Sequence, residues 1–230
     1  MNKPYYQNDL VTIYHGDCLE VLPEIGSVDL VLTDPPYGIG EDGKTNHTRS
    51  VLAESSNFDI GVRWDNKRIE YITDVVNKGK NAIVWGGNYY ADLLGSSSCW
   101  LVWDKDNGKS DFADCELAWT SFKSAVRKFK WKWAGMLQED MKNKEVRYHP
   151  TQKPIELFKW IVNQYSSKGD LILDPFSGSG TTGIACMLAD RKCICIEREE
   201  AYCEIAAKRC EQAKTGLTPG EQEAGQMTLF

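Results

Sequence analysis

Residues 170–197 carry the pattern that most restricts the fold of this chain. The segment Asp170–Asp174 has the apolar composition of a buried strand, and a tight glycine-rich loop follows it. Thr181–Leu188 is then predicted to be a helix, and Cys193–Ile196 a second strand that ends at Glu197. Lys67–Asn77 is predicted to be a helix and Asn81–Trp85 a strand, and a further helix is predicted from Ile155 to about Tyr165. Strands that alternate with helices in this way form a parallel sheet, so the expected fold class is α/β.

A third predicted strand, Val28–Thr33, ends in the motif Asp34-Pro35-Pro36-Tyr37. Proline has no N–H to donate and restricts the residue before it, so the sheet cannot continue. Two acceptors, the Asp34 carboxylate and the Pro35 carbonyl, could draw the lone pair of a nucleobase amine back onto its nitrogen. The Tyr37 ring offers a face on which a flat base can stack. The alternative is an ordinary proline turn in which Asp34 is a cap.

This motif resembles the catalytic motif of the S-adenosylmethionine-dependent amino-methyltransferases of DNA, and the resemblance extends over roughly residues 10–212. It implies a doubly wound, mostly parallel, Rossmann-like sheet over residues 1–213. It also implies that Asp34, Pro35 and Tyr37 are catalytic and hold a base flipped out of double-stranded DNA. Adenine N6 is preferred over cytosine N4 because the motif begins with Asp, whereas the cytosine enzymes more often carry Ser. Cytosine N4 stays open as the alternative.

The glycine loop admits two interpretations. Residues 178–183 satisfy Gly-x-Gly-x-x-Gly, and Glu197 follows at the distance of a ribose-binding acid, which alone favours NAD. Against NAD, the loop begins at Asp174 and runs Pro-Phe-Ser before its glycines, and a cationic amino acid requires a nearby carboxylate whereas a pyrophosphate does not. The motif order is also permuted, with the catalytic motif first. The resemblance implies that S-adenosyl-L-methionine is held by Asp17, Thr151, Lys153, Asp174, Phe176, Gly178, Gly180 and Glu197. Taken alone, Asp17 would be a helix cap.

Two segments are candidates for contact with double-stranded DNA. Residues 39–57 are polar and have no apolar period, so we expect a loop that orders over DNA. Between Lys123 and Trp133, cations alternate with aromatic residues. This is typical of a strand with one basic face, or alternatively of an edge strand kept unpaired by lysines. Target recognition is expected within about residues 112–148. The candidate DNA contacts are Lys44, His47, Arg49, Lys123, Arg127, Lys128, Lys130 and Lys132.

Composition limits the other functions. The formal charge of −6 counts against a protein that coats nucleic acid without specificity, although local patches decide binding. The eight cysteines contain no C-x-x-C pair and the three histidines are scattered, so we expect neither a metal site nor a disulfide framework. No run of 18 apolar residues and no signal peptide occur, so we expect no membrane contact and a cytoplasmic monomer or homodimer.

Residues 214–230 are predicted to be a disordered tail. Its last five residues resemble the pentapeptide by which bacterial proteins dock onto the replication sliding clamp, and the alternative is an accidental apolar end. This docking peptide consists of Gln226, Met227, Thr228, Leu229 and Phe230. Two further functions stay open: the same chemistry on RNA or a protein amide, and a catalytically decayed module that binds DNA or the clamp. The intact motif and glycine loop argue against decay.

Overall fold

The computed structural model describes residues 3–40, 65–108, 113–134, 137–149 and 151–215. Its centre is a nine-stranded sheet, and a two-stranded hairpin lies outside it. The strands are Tyr6–Gln7 (β1), Val11–His15 (β2), Val28–Thr33 (β3), Gly79–Trp85 (β4), Trp100–Asp104 (β5), Cys115–Thr120 (β6), Arg127–Lys130 (β7), Trp133–Ala134 (β8), Leu137–Gln138 (β9), Leu171–Asp174 (β10) and Lys192–Glu197 (β11). The helices are Cys18–Val21 (α1), Ile72–Val76 (α2), Ala91–Leu94 (α3), Ile155–Tyr165 (α4), Thr181–Leu188 (α5) and Glu200–Thr215 (α6).

The order of strands across the large sheet is β1-β2-β11-β10-β3-β4-β6-β5-β7. Among the strands described, five of the eight pairings are parallel. The expected α/β fold with a mostly parallel sheet is therefore confirmed. Strands β3 and β10 are parallel neighbours, with Leu173 opposite Val31. The catalytic motif and the glycine loop consequently leave the sheet at the same edge.

Apolar side chains of the central strands alternate between two cores, as expected for a sheet covered on both faces. Leu30 and Leu32 enter one core, which α4, α5 and α6 cover. Val31, between them, enters the other core, which α1, α2 and α3 help to cover. This is the doubly wound arrangement that the sequence predicts. The carboxyl ends of the parallel strands stay free to form a site.

The helix predicted over residues 67–77 is wrong at its start, because α2 begins only at Ile72. The preceding segment is held against the loop that follows the catalytic motif. The Asp65 carboxylate accepts hydrogen bonds from the backbone N–H groups of Gly38 and Ile39, at 2.7 and 3.3 Å. The Arg68 guanidinium binds the Asp92 carboxylate at 2.8 Å. These tertiary contacts override the helical spacing of the apolar residues.

The region predicted to recognise the target does not form one separate unit. Strand β6 lies inside the central sheet between β4 and β5, and β7 is the edge strand of that sheet. Strands β8 and β9, in the described part of this region, form a separate two-stranded sheet. A recognition role for residues 112–148 stays a prediction.

Several predicted features lie outside the described residues. They include Lys44, His47 and Arg49 of the polar loop, and the docking peptide at residues 226–230. In the part of the chain that the structure describes, no helix has the length and apolar character needed to cross a membrane.

Candidate active site at the carboxyl edge of the sheet

One cavity opens where β2, β3, β10 and β11 end. Its wall is formed by the ends of these strands, by the segment before α4 and by the start of α5. Nearly all the residues that the sequence assigns to a cofactor meet here, although they are spread over 180 positions from Asp17 to Glu197. The predicted residues that line the cavity are Asp17, Asp34, Thr151, Lys153, Asp174, Phe176, Gly178 and Glu197. Gly180 lies beneath the cavity wall, against α6.

The Asp174 carboxylate joins three elements at the base of the cavity. It accepts a hydrogen bond from Thr33 Oγ1 at the end of β3 (2.8 Å) and another from the Thr182 hydroxyl at the start of α5. The backbone N–H of Phe176 also donates to it, at 3.2 Å. Burial raises the pKa of Asp174 to about 6, and these hydrogen bonds offset part of that shift. The sequence interpretation gave Asp174 one role, whereas the structure shows that it also binds the loop together.

The glycine loop is fixed by its conformation and by Glu197. Gly178 and Gly180 have φ values of +50° and +83°, in the left-handed region that favours glycine. A Cβ atom at Gly180 would lie 2.7 Å from Cβ of Ala206 in α6, so the loop packs closely on that helix. The two oxygens of Glu197 accept hydrogen bonds from the N–H groups of Gly178 and Glu199, at 2.8 and 2.9 Å. The end of β11 thus holds the loop over the cavity.

Asp17 fulfils both interpretations that the sequence allows. Its side chain caps α1 by accepting a hydrogen bond from the N–H of Leu19 at 2.9 Å. The same residue lines the cavity, because α1 starts directly at the carboxyl end of β2. The cap orients the carboxylate.

The catalytic motif is folded onto itself. The Tyr37 hydroxyl donates a hydrogen bond to one oxygen of Asp34, and the ammonium of Lys153 binds the other. The Tyr37 ring stacks on Tyr89, with centroids 4.9 Å apart and ring planes at 19°. The Tyr90 hydroxyl donates to the Pro36 carbonyl and fixes the proline turn. Both oxygens of Asp34 are therefore engaged by the protein itself.

Lys153 lies beside the Asp34 carboxylate as well as in the predicted cofactor pocket. Its side chain is only 4% exposed, and its Nζ lies 3.3 Å from the Glu116 carboxylate and 3.2 Å from the Tyr37 hydroxyl. The face of the Trp85 ring also lies near this ammonium, at 5.6 Å. Glu116 in turn binds Lys105 at 2.5 Å. A row of alternating charges, partly buried and with Lys153 at its most buried point, thus runs from Asp34 to Lys105.

The sequence interpretation missed Glu116, although a signal existed. Glu116 is the one acidic residue within β6, a strand that is otherwise apolar apart from its final threonine. Burial alone would raise the pKa of Glu116, but Lys153 and Lys105 hold it below its usual value. Burial likewise tends to lower the pKa of Lys153, yet Asp34 and Glu116 raise it. Burial and, to a smaller extent, Glu116 raise the pKa of Asp34, although Lys153 acts in the opposite direction.

The basic segment forms an edge strand whose cations are partly neutralised. Lys128 binds Asp104 at 3.2 Å, and Lys130 and Lys132 bind Asp106 at 3.0 and 3.3 Å. The aromatic side of the strand packs inward, with Phe129 stacked on a tryptophan of α4. Because β7 runs parallel to β5, its end at Lys130 lies at the same edge of the sheet as the cavity.

Lys123 and Arg127 are exposed but lie at or before the start of this strand, away from the cavity edge. The structure therefore fits the edge-strand alternative, and DNA contact by the five basic residues of this segment stays a prediction.

Comparison with known proteins shows that this chain is similar to enzymes that methylate DNA. A family model described as DNA methylase matches residues 103–208, which include the glycine loop and begin after the catalytic motif. The Type II methyltransferase M2.MboI of Moraxella bovis is 29% identical over 250 residues, covering 90% of this chain and 90% of that protein.

Two solved structures resemble the fold. The crystal structure of the M1.HpyAVI–SAM complex has a TM-score of 0.55 and 26% identity, over 87% of this chain and all of that one. The cytosine-N4-specific PvuII DNA methyltransferase has a TM-score of 0.61 and 19% identity, over 90% of this chain and 89% of that one. The second likeness concerns the fold alone.

Proposed function

We propose that this chain, an S-adenosylmethionine-dependent amino-methyltransferase of DNA, methylates the exocyclic N6 of adenine at a specific site in double-stranded DNA. The observation that carries the proposal is the meeting of two motifs at one cavity. Asp34 at the end of β3 and the glycine loop at the end of β10 are 140 or more positions apart in sequence, yet both line it. A donor and a target base could therefore be held side by side.

The lining of the cavity suits a cationic cofactor. Carboxylates from four separate strand ends line it, including Asp17, Asp174 and Glu197. Such a lining would repel the pyrophosphate of NAD and attract an ammonium or a sulfonium. When bound, S-adenosylmethionine supplies an electrophilic methyl carbon on its sulfonium. We propose that Asp174 faces its amino acid portion, Glu197 its ribose hydroxyls and Asp17 its adenine ring. Thr151, Lys153, Phe176, Gly178 and Gly180 complete the pocket.

Asp34 and Pro35 activate the target amine in this proposal. The Asp34 carboxylate and the Pro35 carbonyl accept hydrogen bonds from the amine and stabilise the positive charge that grows on its nitrogen. To reach Asp34, the amine has to displace the Tyr37 hydroxyl or the Lys153 ammonium from a carboxylate oxygen, and the Tyr37 ring can stack on the base. Extruding the base from the duplex costs a few kcal/mol. Holding the reacting atoms in line supplies much of the acceleration.

Adenine is the preferred target because the motif begins with Asp34. Cytosine N4 is the second candidate, because the family that the motif resembles includes enzymes that methylate either amine. Single-molecule sequencing of DNA from cells that express the protein separates the two. We expect N6-methyladenine at one recognition sequence, and none with Asp34→Ala. Detection of N4-methylcytosine instead would contradict adenine as the target base, but it would still agree with methyl transfer to an exocyclic amine of DNA.

The purified Asp34→Ala variant tests the catalytic assignment directly. It should bind S-adenosylmethionine in calorimetry with the wild-type affinity and transfer no tritiated methyl groups to duplex DNA. Near-normal transfer by this variant would refute the role of Asp34. Methyl transfer by the wild-type protein to RNA or protein, but not to DNA, would contradict the proposal that DNA is the substrate. Failure of the wild-type protein to bind S-adenosylmethionine would instead support the alternative of a catalytically decayed binding module.

We further propose that residues 226–230 dock the enzyme onto the sliding clamp. Three apolar side chains at the end of a polar segment are the supporting observation. Deletion of these five residues should abolish co-elution with the clamp and leave methylation of short duplexes unchanged. Co-elution that survives the deletion would remove the proposal. We place the enzyme in the cytoplasm, in keeping with its eight free thiols.

A further inference from the structure

The ammonium of Lys153 is shared between two carboxylates that come from different strands. Asp34 follows β3 and Glu116 lies on β6, and the two strands are separated in the sheet by β4. Lys153 contacts both of them, through a side chain that is only 4% exposed. Because Lys153 is buried, its ammonium cannot turn to solvent when one partner is taken away.

In the proposed reaction, the target amine competes with Lys153 for one of its two partners, the Asp34 carboxylate. The target amine has to donate to an Asp34 oxygen, and in the structure one of these oxygens is held by Lys153. A buried ammonium that loses its counter-charge is strongly destabilised, so the base would have to compete with a tightly bound ion pair. A second carboxylate within reach of the same Nζ removes this difficulty.

We propose that Glu116 is a positioning residue that retains the Lys153 ammonium while the target amine occupies Asp34. Lys153 thus exchanges one carboxylate for the other during each turnover. The inference rests on the proposed function, because it assigns Asp34 to the amine. Glu116 is itself fixed from the opposite side by Lys105, whose Nζ lies 2.5 Å from it. Lys105 stacks over the Trp103 ring at 5.1 Å, which anchors this end of the row.

The test compares Glu116→Gln with Lys153→Gln in the pH profile of kcat. Asp34 accepts hydrogen bonds from the amine only when it is ionised, so activity falls as the pH drops through its pKa. Glu116 raises that pKa and Lys153 lowers it. Glu116→Gln should therefore move the acidic limb to lower pH, and Lys153→Gln should move it to higher pH. The other titratable groups around this cluster include Tyr37, Tyr90, Lys105, His149 and Asp174, and all are unchanged in both variants.

Glu116→Gln should also slow turnover. With Glu116 neutral, Lys153 stays on Asp34, so kcat should fall on the order of tenfold to a hundredfold, the effect of losing one charge-assisted hydrogen bond. Its affinity for S-adenosylmethionine should not change. Glu116→Asp keeps the charge and should recover part of kcat and the wild-type acidic limb. The control Glu204→Gln removes an exposed carboxylate of α6 and should match wild type.

Three results would overturn the proposal. An acidic limb that does not move in Glu116→Gln would show that Asp34 does not sense Glu116. Acidic limbs that move in the same direction in Glu116→Gln and Lys153→Gln would contradict the exchange of Lys153 between the two carboxylates. Equal losses of cofactor affinity, folding stability and kcat in Glu116→Gln, without rescue by Glu116→Asp, would make Glu116 a structural residue. Absence of activity in the wild type would instead contradict the proposed function.

Discussion

The ring of Tyr37 lies against the backbone of Gly86, so closely that a Cβ atom at Gly86 would stand 2.0 Å from the ring carbon Cε1. Gly86 follows β4 and has a φ of +63°, which is also unfavourable for any other residue. Tyr89 stacks on the same ring three residues later. The strand next to β3 therefore positions the aromatic ring of the catalytic motif.

We expect Gly86→Ala to lose turnover while it keeps its cofactor. The added methyl group forces the Tyr37 ring out of its place, and misplacement by about 1 Å can cost about a hundredfold in rate. Binding of S-adenosylmethionine should stay within about twofold, because Gly86 does not line the cavity. Methyl transfer to duplex DNA and calorimetry measure the two quantities.

Gly169→Ala is the matched control for backbone strain. Gly169 has a φ of +83°, and no heavy atom lies within 4 Å of the position a Cβ would take. Both variants should lose on the order of 1 kcal/mol of stability through backbone strain, Gly86→Ala should lose more because the Tyr37 ring is displaced, and only Gly86→Ala should lose activity. Equal activity in the two variants would contradict the packing argument.

Asp174→Asn should make the protein more stable and the cofactor site weaker. The pKa of Asp174 is raised to about 6, so the carboxyl group favours folding fully below its unfolded pKa and loses that contribution as the pH rises through about 6. Above this range the buried charge costs about 3 kcal/mol. Asparagine removes this cost at pH 8, and the difference from wild type should vanish near pH 4. Urea denaturation at the two pH values measures the change.

Affinity for S-adenosylmethionine should fall on the order of tenfold to a hundredfold in Asp174→Asn, because a charged partner is lost. Asp29→Asn, on the neighbouring strand β3, is a control for which we expect the opposite change in stability. Lys80 and the N–H of Leu171 hold the pKa of Asp29 below its usual value, so this variant should be less stable at pH 8 and approach wild type at low pH. A pH-independent stability change in Asp174→Asn would contradict the assignment.

Features that depend on neighbours in sequence could be predicted. Helix α4 begins at Ile155 and ends at Tyr165, as expected from the prolines before it and the apolar pattern within it. The strand, loop, helix and strand of residues 171–197 are also confirmed. In each case the local pattern and the tertiary environment favour the same structure.

Features that depend on strand order could not be predicted. Strand β6 enters the sheet antiparallel between β4 and β5, and nothing in its sequence specifies these neighbours. The contact between Glu116 and Lys153 follows from that order alone. The wrong start predicted for α2 has a related cause, because Ile69 packs into a core from an irregular segment that Asp65 and Arg68 hold in place.

Glu197→Gln should weaken cofactor binding by on the order of tenfold or more. Each carboxylate oxygen accepts a hydrogen bond from a backbone N–H, one from Gly178 and one from Glu199. A glutamine has only one acceptor oxygen, so its NH2 group would face one of these donors and displace the glycine loop. Calorimetry with S-adenosylmethionine measures the loss. Glu204→Gln, on the exposed face of α6, is the control, and wild-type affinity in Glu197→Gln would contradict the role of this acid.

Asp106→Asn should strengthen the binding of duplex DNA if the basic edge strand faces it. Asp106 neutralises Lys130 and Lys132 at the cavity edge of the sheet. Its φ of 51° is one that asparagine also tolerates, so the change should free two cations without altering the backbone. Each additional phosphate contact steepens the dependence of log affinity on log salt by about 0.9, so the slope should increase by roughly one to two. Fluorescence anisotropy over a range of salt concentrations measures it.

Asp190→Asn is the control, because Asp190, like Asp106, has a positive φ and contacts a lysine, but it lies in a different part of the molecule. It has a φ of 60° and binds Lys168 at 3.3 Å, just after the end of α5. Helix α5 starts at the cavity edge and runs away from it, so Asp190 lies at the opposite edge of the sheet. An increase in affinity in both variants would reflect net charge alone. An unchanged salt slope in Asp106→Asn would mean that β7 lies off the DNA path, and that its lysines only protect the edge of the sheet.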